Sequence, residues 1–202
     1  MRRIGLTGPI AAGKSVAAAR LRVLGAVVID HDELARAVLD PGTPGQAEVR
    51  AAFGEGVIAP DGTTNRAALG RLVFADAAAR ARLEEIIHPR VRAQAARLEA
   101  AAAAAGRPFV VHDVPVLVET GQQGQFDAVL VVDAPDELRL RRLTGERGLE
   151  ASEARRRLAA QATRAERLPQ ATVVFDGGGS PAALEGQVDR WFAAFSETVG
   201  GA

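Results

Sequence analysis

The chain has 202 residues, with 25 Lys+Arg set against 25 Asp+Glu and no cysteine. That length can bury a hydrophobic core without staples, and the missing cysteines exclude disulfides, thiolate metal sites and thiol nucleophiles together. Balanced charge offers no global field to nucleic acid or a membrane surface, no stretch approaches the ~18–20 apolar residues of a membrane span, and no signal-peptide apolar region opens the chain, so a soluble cytoplasmic protein with only local affinity for phosphates is expected.

The first element is a short strand, Ile4-Gly5-Leu6-Thr7, running into Gly8-Pro9-Ile10-Ala11-Ala12-Gly13-Lys14-Ser15. This G-x-x-x-x-G-K-S spacing is that of the phosphate-binding loop, in which backbone N–H groups curl round a polyphosphate and a following helix turns its positive end to the same anion. Gly8, Ala11, Ala12, Gly13, Lys14, Ser15 and Val16 are the expected ATP contacts. Lys14 is placed to reach the β- and γ-phosphates, and Ser15 to offer its hydroxyl to Mg²⁺. Lys14 is also the only lysine among 25 Lys+Arg, which points to a place where a compact ammonium fits and a planar guanidinium does not.

A helix from Val16 to Leu24, ended by Gly25, leads to a buried strand Ala26-Val27-Val28-Ile29 and then to Asp30-His31-Asp32. In an open parallel sheet, ligands sit at the carboxyl ends of strands, so these residues face the crevice of the phosphate loop. Asp30 with Glu33 has the spacing of a capping box, and Asp32 could open a helix. A carboxylate there is equally what a kinase needs to orient an acceptor hydroxyl and take its proton. His31 reads as incidental.

The helical run ends at Asp40-Pro41-Gly42, and residues 44–106 read as almost wholly helical, broken at Gly54-Glu55-Gly56 and Pro60-Asp61-Gly62. Such a length between two strands implies an inserted helical subdomain. One helix starts at Asn65-Arg66 and another runs from Ala77 to Ile87. Pro89 biases His88 out of helical geometry, placing it at a kink or helix start; a structural role and a substrate contact are both open to it. The Ala-rich run from Ala93 to Ala105 reads as a solvated helix.

Phe109 to Val114 is the third strand. Its Asp113 is either a metal-side carboxylate or a strand-end residue bonding nearby backbone. Phe126 to Asp133 is the fourth strand. An arginine-dense helical region follows, including Arg139, Arg142, Arg157, Arg164 and Arg167. Most of these are expected in water or in weak surface pairs, with one or two able to close over a triphosphate. Ala171 to Phe175 is the fifth strand, Asp176-Gly177-Gly178-Gly179-Ser180 a loop at its end, and Pro181 to Phe195 a closing helix. The expected fold class is α/β, a P-loop NTPase-type parallel sheet flanked by helices. One P-loop kinase domain over 1–202 is expected, with the helical insertion at about 40–106 on the acceptor side and lid helices at about 138–168.

Taken together, the phosphate loop, the Asp-x-Asp at the next strand end, Asn65-Arg66, Ile86-Ile87-His88-Pro89, Val114-Pro115-Val116-Leu117-Val118-Glu119, Arg142-Leu143 and Arg157 with Gln161 resemble the dephospho-coenzyme A kinases from Ile4 to about Phe192. The resemblance implies transfer of the γ-phosphoryl group of ATP, with Mg²⁺, to the ribose 3′-hydroxyl of dephospho-coenzyme A, giving coenzyme A and ADP. By that likeness Asp32 is the acceptor-side carboxylate, and Lys14 and Arg142 complete the catalytic set. Asp30, Arg36, His88 and Glu119 join Asp32 at the acceptor, Gly178 lies by the nucleotide, and Ser15 and Asp113 serve the metal. No nucleic-acid or membrane partner is implied, and no motif assigns an oligomeric state. The rival readings are another small P-loop nucleoside or nucleotide kinase and a nucleotide-binding module with little transferase activity. The chain departs from the family at Pro9, which removes a loop N–H, and at Ala11, where glycine is common and a positive φ would be strained.

Overall fold

The structure, a computed structural model, describes residues 1–200, with side chains to 198. It divides into two compact units, Met1–Asp30 together with the chain from Ala101 onward, and His31–Ala100.

The first unit is built on five parallel strands: β1 (Arg2–Thr7), β2 (Val27–Asp30), β3 (Phe109–Asp113), β4 (Ala128–Asp133) and β5 (Val173–Asp176). Their order is β2-β3-β1-β4-β5, which puts the N-terminal strand in the centre. Every residue of β3 and β4 is buried, the signature of a parallel sheet covered on both faces. Because alternate side chains point to opposite faces, β4 feeds two cores. Leu130 and Val132 join Ile4, Leu21, Phe175 and Val188 on one face, while Val129 and Val131 join Val114 and Leu117 on the other.

Helix α1 (Lys14–Val23) packs against the closing helix (Pro181–Gly200) over the first core. Phe109 there meets Trp191, Phe192 and Phe195 edge to face, with centroids 6.4, 5.7 and 5.1 Å away. The arginine-dense region of this unit comprises Asp136–Arg141, a π-helical turn Arg142–Glu146, Ala151–Ala159 and the short helix Arg164–Arg167. The helices expected here at about 138–168 are interrupted by the π turn, an irregularity frequent at functional sites.

The second unit is helical: α2 (His31–Ala37), α3 (Pro44–Phe53), α4 (Arg66–Ala75) and α5 (Ala77–Ala104). Val38, Leu39, Val49, Val57, Leu69, Ile86 and Val91 form its core. The helix starts are written in the sequence. Thr43 accepts from the Gln46 N–H with Pro44 in the first turn, and Asn65 accepts from the Ala68 N–H, each satisfying a donor that the helix leaves over. Between them the buried Gln46 amide donates to the Gly62 carbonyl at 2.8 Å, pinning the Pro60-Asp61-Gly62 break.

One expectation fails here. The helix expected to run from Ala77 to Ile87 does not end there, and His88 does not start a new one, because α5 runs 28 residues with Pro89 inside it. Pro89 deprives the preceding turn of an N–H donor. In that disturbed stretch the Arg90 guanidinium donates to the Ile86 carbonyl at 2.7 Å and to Glu48 on α3 at 2.6 Å, while Ile86 itself is buried in the core. Packing and this side chain outweigh the local bias of the proline.

Candidate active site

The carboxyl edge of the sheet concentrates charge. Asp30 and Asp113 are register partners at the ends of β2 and β3, and Asp133 and Asp176 are register partners at the ends of β4 and β5. Every strand but the central one thus closes on an aspartate. β1 instead ends at Thr7 and runs into the phosphate loop, which brings the one lysine to this row of carboxylates. The Lys14 ammonium is ion-paired with Asp113, whose side chain is only 4% exposed. Asp30 faces Arg22 at 3.8 Å. A depression of about 610 Å³ touching Met1, Asp127 and Thr172 lies at the opposite, amino ends of the strands, where open parallel sheets do not bind their ligands.

The loop has the form that anion binding demands. Gly13 precedes α1 at φ 105°, a left-handed conformation that glycine adopts without strain. No side chain caps α1 and no acid stands in its first turn, so its leading N–H groups and positive end are offered to a ligand. The Ala12 N–H donates back to the Pro9 carbonyl at 3.1 Å, closing a turn over Ile10 and Ala11. Ala11 has φ 62°, alone in positive φ among the described non-glycine residues. This is the third position of a type II turn, normally Gly or Asn, and an L-residue there costs about 1–2 kcal/mol. The strain expected from Ala11 in place of glycine is therefore present.

Around the loop the contacts are tight. A Cβ at Gly8 would meet the Val132 carbonyl, and one at Gly177 would collide with the Ala12 carbonyl. Gly177 donates its N–H to the Asp133 carbonyl at 2.7 Å, and Asp176 accepts from the Gly178 N–H at 2.7 Å, folding the Asp176–Ser180 loop against the phosphate loop. Arg142 bridges the two loops. It donates to the carbonyls of Ala11 at 3.0 Å, Gly177 at 2.9 Å and Gly179 at 3.4 Å.

Several residues at this edge escaped sequence reasoning. Most arginines of this region are expected in water or in weak surface pairs, whereas Arg139 and Arg167 are only 4% and 2% exposed. Arg139 donates to Asp136 at 2.6 Å. Arg167 donates to the Ala162 carbonyl and lies 3.7 Å from Asp133, which also accepts from Arg164 at 2.6 Å. Burial, and then the like charge of Arg139, pull the Arg167 pKa below its usual value, against the pull of Glu119, Asp133 and Asp136. Glu119 accepts from the Ala162 N–H at 3.0 Å. Gln161, noted in the sequence only as part of the resemblance, accepts from the Ile10 N–H at 2.9 Å. Only the number of arginines near Asp133 hinted at this cluster; which ones turn inward is decided by packing.

The remaining candidates belong to the second unit. Asp32 and Arg36 are exposed and four residues apart on α2, so they share one helix face. Arg66 donates to the Arg36 carbonyl at 3.1 Å, which fixes the end of that helix. His88 is exposed on α5.

Among the described residues no group of three or more His, Cys, Asp or Glu could cage a metal. Mg²⁺ does not need such a cage, since it keeps several waters and binds one or two protein groups together with substrate phosphates. The donor set fits that mode: the Ser15 hydroxyl in the first turn of α1 is exposed, and Asp113 ends the neighbouring strand.

The family model described as dephospho-CoA kinase matches residues 2–182. A dephospho-CoA kinase of Leifsonia xyli is 50% identical over 194 residues, covering 96% of this chain and 98% of that protein. Among solved structures, a Thermus thermophilus protein superposes with a TM-score of 0.81 at 36% identity, over 96% of this chain and 97% of its own. A Campylobacter jejuni dephospho-CoA kinase superposes with a TM-score of 0.69 at 23% identity, over 97% and 98%, and shares the fold. Among the described residues, no helix is long and apolar enough to cross a membrane.

Proposed function

The chain belongs to the dephospho-CoA kinase family, and from that membership we propose a reaction and a division of labour among its residues. It transfers the γ-phosphoryl group of ATP to the ribose 3′-hydroxyl of dephospho-coenzyme A, the step that yields coenzyme A and ADP. The observation that carries this reading is a family match over residues 2–182 that includes an anion-ready loop with Lys14 set among strand-end aspartates.

In the proposed mechanism the stretch from Ala11 to Val16 cradles the polyphosphate, through those of its amides not already bonded within the loop, as Ala12 is to Pro9 and Val16 to Gly13. Lys14 exchanges Asp113 for the β- and γ-oxygens and neutralises charge as the bridging bond to phosphorus breaks. Ser15 and Asp113 would hold Mg²⁺, which when bound would supply further charge neutralisation at the phosphates. Asp32, two residues beyond the end of β2, accepts the proton of the 3′-hydroxyl as its oxygen bonds to the γ-phosphorus and ADP leaves. Asp30, Arg36, His88 and Glu119 orient the acceptor, and Gly178 lies beside the nucleotide. Arg142 stands at the rim of the loop, where giving up one carbonyl would free a donor for the transferring group. The helical stretch at about 40–106 serves as the acceptor-side insertion and 138–168 as the lid of one kinase domain, acting in the cytoplasm.

A coupled assay tests this by presenting ATP with dephospho-coenzyme A, adenosine and simple nucleotides side by side. ADP release is expected with dephospho-coenzyme A. Equal rates with adenosine or a nucleotide would move the chain to another acceptor class.

A further inference from the structure

The strained turn of the phosphate loop is bracketed by two side chains from the arginine-dense region. On one side, the Ile10 N–H donates to Gln161 Oε1 at 2.9 Å; on the other, the Ala11 carbonyl accepts from Arg142 at 3.0 Å. The peptide unit entering Ile10 and the one leaving Ala11 are thus each held from outside the loop. We infer that Gln161 is a positioning residue, whose side-chain carbonyl holds the Pro9–Ala12 turn in its anion-ready form and so makes an alanine tolerable where the geometry asks for glycine.

Three observations support this. The orientation of the Gln161 amide is determined by its neighbours: the Ile10 N–H and the Arg139 guanidinium, 3.4 Å away, can only donate, so the oxygen must face both. The amide is also well anchored. Arg139 is buried and tied to Asp136. The residue after Gln161 has its N–H on Glu119 and its carbonyl on Arg167. Finally, the turn has few means of its own. Pro9 has no N–H and Ala11 sits at φ 62°, so one internal bond, Ala12 to Pro9, closes it. Without an outside acceptor on Ile10, Ala11 can relax toward negative φ, which swings the following amides away from the phosphates. Glycine would hold the conformation unaided.

The inference rests on the reading of this loop as the ATP site, and its test separates the two. Gln161→Met keeps the length of the side chain and removes the acceptor; Gln161→Ala is carried beside it in case the thioether packs badly. Each is made with Ala11 and with Ala11→Gly, and the ATP dissociation constant is measured by titration together with kcat at saturating ATP. With Ala11 present, loss of the acceptor should weaken ATP about fivefold to tenfold, the scale of one hydrogen bond, with kcat at saturation changed less than about twofold. With Ala11→Gly present, the same loss should weaken ATP no more than about twofold. Equal weakening in both backgrounds, or none in either, overturns the positioning role. Absence of turnover with dephospho-coenzyme A while ATP binding follows the expected pattern overturns the assigned reaction and leaves the inference standing.

Discussion

The two compact units hold their candidate residues by opposite means. In the first, polar cross-links that bridge long stretches of chain fix the site: Lys14 to Asp113, Ile10 to Gln161, Ala11 to Arg142. In the second, an apolar core holds a set of capped helices, and Asp32, Arg36 and His88 stand exposed on their surfaces. Under the proposed reaction, the difference follows from what each ligand group asks. A polyphosphate is recognised by backbone N–H groups, whose directions are set only when the loop itself is immobilised. An acceptor hydroxyl needs one well-placed carboxylate on a rigid support, which a helix supplies.

If that division is right, damage to each unit has its own kinetic signature. The largest effect is expected at Asp32, where Asp32→Asn should lower kcat by about 10³-fold, within the range for loss of a general base, with the ATP dissociation constant unchanged; stopped assays with titration of ATP read both. Lys14→Met should follow, lowering kcat/KM for ATP by about 10²-fold or more and leaving dephospho-coenzyme A binding nearly intact by calorimetry. An Asp32 variant that lost ATP, or a Lys14 variant that lost the acceptor, would break the comparison.

Smaller effects sharpen it. Asn65→Ala removes the cap of α4 and should destabilise the second unit by about 1 kcal/mol, read by urea unfolding, with no change in ATP affinity. Ala11→Gly relieves a left-handed alanine but adds freedom to the unfolded chain; a net gain of at most about 1 kcal/mol is expected in thermal melts. The smallest effect is in acid. The Asp127 carboxyl is held below the usual aspartate range by the Arg3 backbone N–H at 2.7 Å and then by Arg2. A pKa lowered by folding stabilises above the unfolded value and is lost as pH falls through the folded one. Asp127→Asn should therefore be less stable than the parent at pH 7, and the difference should vanish as pH falls through the lowered Asp127 pKa.

Much of this was legible in the chain itself. The phosphate loop and the five strands are local patterns, so their signals lie in adjacent residues, and even the awkwardness of Ala11 could be read from the turn it must adopt. Three features could not be read, for a common reason. Pro89 argues locally for a helix end, yet α5 continues because Ile86 is buried in the core and Arg90 bonds to the Ile86 carbonyl. Arg139 and Arg167 look like their solvated neighbours until Asp133 and Asp136 are brought beside them. Gln161 gains a role only from Ile10, 151 residues away. Each outcome is decided by burial or by a particular side-chain partner, which propensity does not see.

The strand order also bears on how the chain is made. β1 emerges from the ribosome first, yet both of its neighbours come from beyond residue 108: β3 pairs with it from Phe109 and β4 from Ala128. At ordinary synthesis rates of about 5–20 residues per second, the strand that carries the phosphate loop spends roughly 5–20 s with neither edge covered. Over the same interval the residues of the helical unit, 31–100, are all synthesised and can begin to bury their own core from contacts closer in sequence. The sheet is therefore completed late and around its oldest strand, so the loop it carries takes its working shape only after nearly the whole chain has appeared.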